Sequence, residues 1–99
     1  MSDVFAALSD PTRREILRRL GQSPATATEL SAVFPISRQA ISKHLAALDQ
    51  AGLVERTSSG REVRFSLRSE RLDDVMGWVA EVGGEWDQRL ARLKGRLGG

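Results

Sequence analysis

Ninety-nine residues, 40% hydrophobic and 28% charged, describe a single small domain over residues 1–99, or one protomer of a small oligomer. Cysteine is absent and His44 is the single histidine, which excludes disulfides, thiolate metal sites, iron–sulfur clusters, a cysteine nucleophile and a multi-histidine zinc site. The net charge is +2, carried by arginine rather than lysine, and permits a polyanionic partner without demanding one.

A short first helix is expected over residues 3–8, with Val4, Phe5 and Leu8 on one face. Asp10-Pro11 then reads as an N-cap followed by proline at the first helical position, where its missing N–H is harmless. That second helix should run to about Leu20, with Ile16, Leu17 and Leu20 as its apolar stripe and Gly21 to Pro24 as its stop. Thr28 is the expected cap of a third helix over 29–34, which Pro35 closes. Ser37 caps a fourth helix that reaches about Gln50. Two short helices joined by so tight a turn, over about 28–50, make a helix-turn-helix.

Gly52 is the expected C-terminal cap of the fourth helix. Ser58-Ser59-Gly60-Arg61 reads as a turn, and beyond it Val63, Phe65 and Leu67 alternate with Glu62, Arg64 and Ser66, the period of a half-buried strand. A β-hairpin over about 53–67 follows the helix-turn-helix directly, which is the winged arrangement: a mainly α fold with a small β-hairpin. From about 71 to 97 the chain is helical again. Leu72, Val75, Val79, Val82, Trp86, Leu90, Leu93 and Leu97 recur along it at helical spacing and form a seam suited to pairing with another helix. Gly83-Gly84 interrupts that seam and is a candidate kink. Together with Val4, Phe5 and Leu8, the seam is more apolar surface than a lone protomer exposes, so dimerisation through the first and last helices is expected.

At 100° per residue the fourth helix turns Ile41, Leu45 and Leu48 inward and Arg38, Gln39, Ser42, Lys43 and Ala46 outward. Arg can bind guanine O6/N7 with two bonds and Gln can do the same with adenine N6/N7, so this polar face has the chemistry of a major-groove reader. A merely solvated helix face is the plainer reading, disfavoured by the element's place in the helix-turn-helix. Arg61 at the hairpin tip is the leading wing contact to a phosphate or minor groove, Arg64 is taken with it, and Arg56 is the weakest of the three. His44 lies at the rim of the core face, where a packed role and a phosphate contact both stand open. Ser42 and His44, two apart on a helix, do not face each other and make no nucleophile pair. Asp73, Asp74, Glu81, Glu85 and Asp87 read as a solvated acidic face rather than a cation site. Trp78 and Trp86 read as packing groups rather than a ligand pocket. No acid–base pair or glycine-rich phosphate loop is present, so no enzyme activity is expected.

The segments ALSDPTRREILRRL and ISRQAISKHLAALDQAGLVERTSSGREVRFSL, within residues 5–67, resemble the ArsR/SmtB family of bacterial winged-helix repressors. The spacing of Trp78, Trp86, Leu90 and Leu93 is similar to a metal-independent branch of that family. The resemblance implies a homodimeric repressor of double-stranded DNA that occupies an imperfect palindrome, with first and last helices at the dimer interface. It carries DNA contacts onto Ser37, Arg38, Gln39, Ser42, Lys43 and His44, and onto Arg61 in the wing. Many relatives sense soft metals through cysteines, or through His and Asp on the last helix. This chain lacks those cysteines and any histidine after His44, so neither a metal nor another cofactor is expected. The rival reading is a winged-helix module whose polar face docks a protein without sequence-specific DNA binding. The apolar stretch at 4–8 is too short for a signal-peptide core and no run approaches the ~20 residues of a membrane span, so the cytoplasm is the expected location.

Overall fold

The computed structural model describes residues 2–97. Five helices and three strands follow in the order α1 (Ser2–Leu8), α2 (Pro11–Gln22), β1 (Ala25–Thr26), α3 (Ala27–Val33), α4 (Arg38–Gln50), β2 (Val54–Ser59), β3 (Glu62–Leu67) and α5 (Glu70–Leu97).

Local chemistry sets most of these boundaries. The Asp10 carboxylate accepts from the backbone N–H of Thr12 at 2.8 Å and of Arg13 at 3.3 Å, satisfying two of the donors a helix start leaves open. α2 passes through Gly21 and stops at extended Ser23, whose carbonyl accepts from Arg19 at 2.9 Å. The helix is thus two residues longer than the expected stop at Leu20.

The cap of α3 is Thr26 and not Thr28. The Thr26 hydroxyl accepts from the Glu29 N–H at 3.1 Å, and the Glu29 carboxylate accepts from the Thr26 N–H at 3.3 Å. This reciprocal box needs a Glu or Gln three residues after the cap, which Thr26 has and Thr28 lacks. α3 ends at Val33 because Phe34, before Pro35, is extended.

Ser37 caps α4 as expected, accepting from the Ala40 N–H at 3.1 Å. Its far end is a full Schellman closure. Gly52 has φ +74, its N–H donates to Asp49 at 3.0 Å, and the Leu53 N–H donates to Leu48 at 2.9 Å. Leu48 and Leu53 are both fully buried, supplying the apolar contact that accompanies this motif.

β2 and β3 pair antiparallel with Ser59 opposite Glu62, leaving a two-residue loop that begins with Gly60 at φ +62. The turn is therefore confined to Gly60 and Arg61. β1, which the sequence pattern does not announce, adds to the other edge of β3 with Ala25 opposite Phe65 and Thr26 opposite Arg64. The strand order β1-β3-β2 puts β3 in the centre and fastens the wing to the segment that enters α3.

The core lies between α1, α2, α3, α4 and the base of the wing, with Ile16, Leu30, Ile41 and Leu45 sealed from solvent. Val4 and Ala7 complete it from α1. α5 begins with the acidic residues Glu70 and Asp73, favourable at a helix N-terminus, and the helix continues through Gly83 and Gly84. Leu72 and Val75 pack on the core, and the molecule extends 67 Å along its longest axis.

Candidate nucleic-acid interface

α4 presents Arg38, Gln39, Ser42 and Lys43 on its exposed side, opposite buried Ile41, Leu45 and Leu48. Across from it stands the wing, and between the two opens a cleft of about 940 Å³. Arg38, Arg56, Arg61 and Arg64 line it together with Glu29, Asp49 and Glu62, over an apolar lining that includes Leu45, Ala46, Val63 and Phe65.

The hydrogen-bond partners sort the cations of this region into two groups. Arg14 donates to the Leu8 carbonyl at 2.7 Å, Arg18 pairs with Glu15, and Arg68 lies 3.6 Å from Glu70. Arg38, Lys43 and Arg61 have no ion pair or hydrogen-bond partner for their side chains among the described residues. Among the described residues Arg56 has the face of Phe65 alone, 5.9 Å from its guanidinium carbon. Four cations without an ion-pair partner thus stand on the polar side of α4 and on the wing, where an incoming phosphate meets them without first breaking an ion pair.

Three expected contact residues have local work. The Ser37 hydroxyl is the cap of α4. His44 is half-buried, and its Nδ1 accepts from Arg13 Nε at 3.4 Å; the same Arg13 side chain donates to the Ala6 carbonyl at 3.4 Å, so one residue of α2 links α1 to α4. Arg64 lies 2.9 Å from Glu29 and 3.4 Å from Glu62. The roles of Arg13 and Glu29 had no signature in residue spacing beyond the Thr-x-x-Glu pattern at 26–29. The part Arg56 plays in the cleft follows from strand register.

The expected dimer surface divides similarly. Val4 is 1% exposed and belongs to the protomer's own core, so it has nothing left to offer a partner. A helix this short turns Val4 and Ala7 to the same side, and that side faces inward. Leu8, Leu72 and Val75 are partly covered by the same core, and Val82 is half-buried. Phe5 and Val79 remain exposed, joined by Met76 and Trp78. The rings of Phe5 and Trp78 meet edge to face at 5.4 Å, tying α1 to α5. The side chains of Trp86, Leu90 and Leu93 lie outside the described residues.

Among the described residues no group of three or more His, Asp or Glu is arranged to hold a metal ion, and no helix is long and apolar enough to cross a membrane.

Two carboxylates titrate low. The Thr26 N–H holds the Glu29 carboxyl below its ordinary value against the opposing effect of burial, with help from the Thr26 hydroxyl and Arg64. Burial pushes Asp10 upward, but the N–H groups of Arg13 and Thr12 and the charges of His44 and Arg13 together outweigh it. Both groups are therefore more acidic folded than unfolded. Their stabilisation is complete above the ordinary carboxylate pKa and is lost as pH falls through the lowered folded values. Urea midpoints from about pH 7 to about pH 3 should fall on the acid side, and Asp10→Asn with Glu29→Gln should flatten that fall.

A model described as a helix-turn-helix domain matches residues 8–57. The transcriptional repressor SdpR of Bacillus subtilis is 37% identical over 91% of this chain and 100% of its own length. An ArsR-like transcriptional regulator from Rhodococcus sp. RHA1 superposes with a TM-score of 0.85 at 47% identity, over 94% of this chain and 85% of that one. The homodimeric winged helix-turn-helix DNA-binding domain of Mb0332 from Mycobacterium bovis superposes with a TM-score of 0.69 at 25% identity, over 85% of this chain and 78% of that one. With its capped helix-turn-helix, its wing in a three-stranded sheet and these relatives, the chain belongs to the ArsR/SmtB family of winged helix-turn-helix, DNA-binding transcriptional regulators.

Proposed function

We propose that the protein is a homodimeric repressor that acts by occupying an imperfect palindromic operator in the cytoplasm, with no catalytic step and no metal requirement. α4 of each protomer enters the major groove, and the wing lies against the flanking backbone or minor groove. The observation that carries this reading is the placing of unpaired cations on both elements: Arg38 and Lys43 exposed on α4, and Arg61 and Arg56 on the wing across the cleft from Arg38. Repression has the support of the relative named as a repressor, and the two-fold assembly that of the homodimeric relative.

Selection of bound duplexes from a random DNA pool tests the reading and yields the operator. A wing contact to phosphate carries no sequence information. Arg61→Ala should therefore weaken binding to selected and scrambled duplexes alike and lower the salt slope by about one. Salt-insensitive binding, or no enriched sequence, favours the protein-docking alternative.

A further inference from the structure

We propose that Arg64, although it stands on the wing, is a positioning residue: paired with Glu29, it locks the wing against the helix-turn-helix so that both DNA-facing elements move as one body. The proposal rests on the reading of α4 and the wing as the DNA face.

Its basis is a closed set of contacts. Arg64 is a β3 residue and Glu29 belongs to the first turn of α3. One guanidinium nitrogen lies 2.9 Å from Glu29 Oε1, and that same oxygen accepts from the Thr26 N–H at 3.3 Å. Thr26 is the strand partner of Arg64 across β1 and β3. The other guanidinium nitrogen lies 3.4 Å from Glu62 Oε2, in the same strand as Arg64. A single carboxylate thus closes the capping box of α3 and grips the central wing strand. Beyond Val54, β2 is exposed along its length.

Charge argues the same way. Two carboxylates against one guanidinium leave this corner net negative, so a phosphate approaching Arg64 is repelled by Glu29 and Glu62. Arg38, Arg56 and Arg61 line the same cleft with no carboxylate paired to them among the described residues. Phosphate attraction is assigned to those three and wing geometry to Arg64.

Glu29→Gln separates charge from capping, since glutamine also closes a capping box. Hydrogen exchange on the free protein should show the wing amides of β2 and β3 opening about two- to fivefold faster in Arg64→Ala and Glu29→Gln alike, with recovery in Arg64→Lys. On the selected duplex both variants should bind about two- to fivefold more weakly with the wild-type salt slope, and the double variant should be no worse than either. A slope lowered by about one in Arg64→Ala makes Arg64 a phosphate contact and overturns the proposal. So do tighter DNA binding by Glu29→Gln, unchanged wing exchange, unchanged affinity in every variant, or additive losses in the double variant. The exchange measurement needs no DNA. A wild-type protein that binds no duplex therefore overturns the functional reading while exchange still tests the lock.

Discussion

Aspartate at both Met76 and Val79 should leave the protein monomeric and lower its affinity for the selected duplex by about 10²–10⁴-fold, the avidity that linking two half-site readers supplies. Both side chains are exposed in the protomer, three residues apart on one side of α5. Phe5 and Trp78 also stand partly exposed, in contact with each other. Exposed apolar groups in such number along one 28-residue helix are covered most simply by a second copy, because an isologous two-fold contact matches the same surface to itself. Carboxylates there would lose their hydration with no partner, which opposes association strongly. The core under α1 to α4 is untouched, so circular dichroism should retain the helical signal of the domain. Sedimentation equilibrium reads the assembly state. A wild-type monomer at micromolar concentration would show that these exposed side chains serve another purpose.

The elements legible in the sequence are those whose ends carry a chemical signal of their own. Asp10-Pro11, Ser37 and Gly52 each satisfy or free backbone groups within a turn of themselves, and the structure uses all three. β1 is two residues long and exists only because β3 offers it an edge, so no periodicity could announce it. Thr28 reads as a cap because it directly precedes Glu29, whereas the reciprocal bond requires three residues, from Thr26 to Glu29. On the site, the outward face of α4 follows from its period alone. The partners of individual side chains do not. Spacing places Arg64 on the wing, but only the pairing of β1 with β3 brings it to Glu29. Val4 was legible as apolar, yet whether an apolar side chain faces its own core or a partner is decided by how α1 docks.

Gln39→Ala and Arg38→Ala should each lower affinity for the best site by about 1–3 kcal/mol and relax the preference at particular base pairs. Both residues stand in the first turn of α4, exposed and uncommitted, beside a helix N-terminus whose free N–H groups favour a phosphate close by. That end of a recognition helix is the part that meets base edges. Directed hydrogen bonds tell bases apart, while a cation at the wing tip attracts any phosphate. The two classes of variant should therefore separate in one titration. Arg61→Ala shifts all duplexes together and flattens the salt dependence, whereas Gln39→Ala shifts the selected duplex and leaves scrambled ones nearly unchanged. In a two-fold dimer the positions relaxed by each variant should occur twice, about 34 Å or one DNA turn apart. Relaxation at a single position places one helix on the DNA and rejects the symmetric arrangement. An intact preference in both variants means that α4 does not read sequence, and its polar face then becomes a surface for docking a protein.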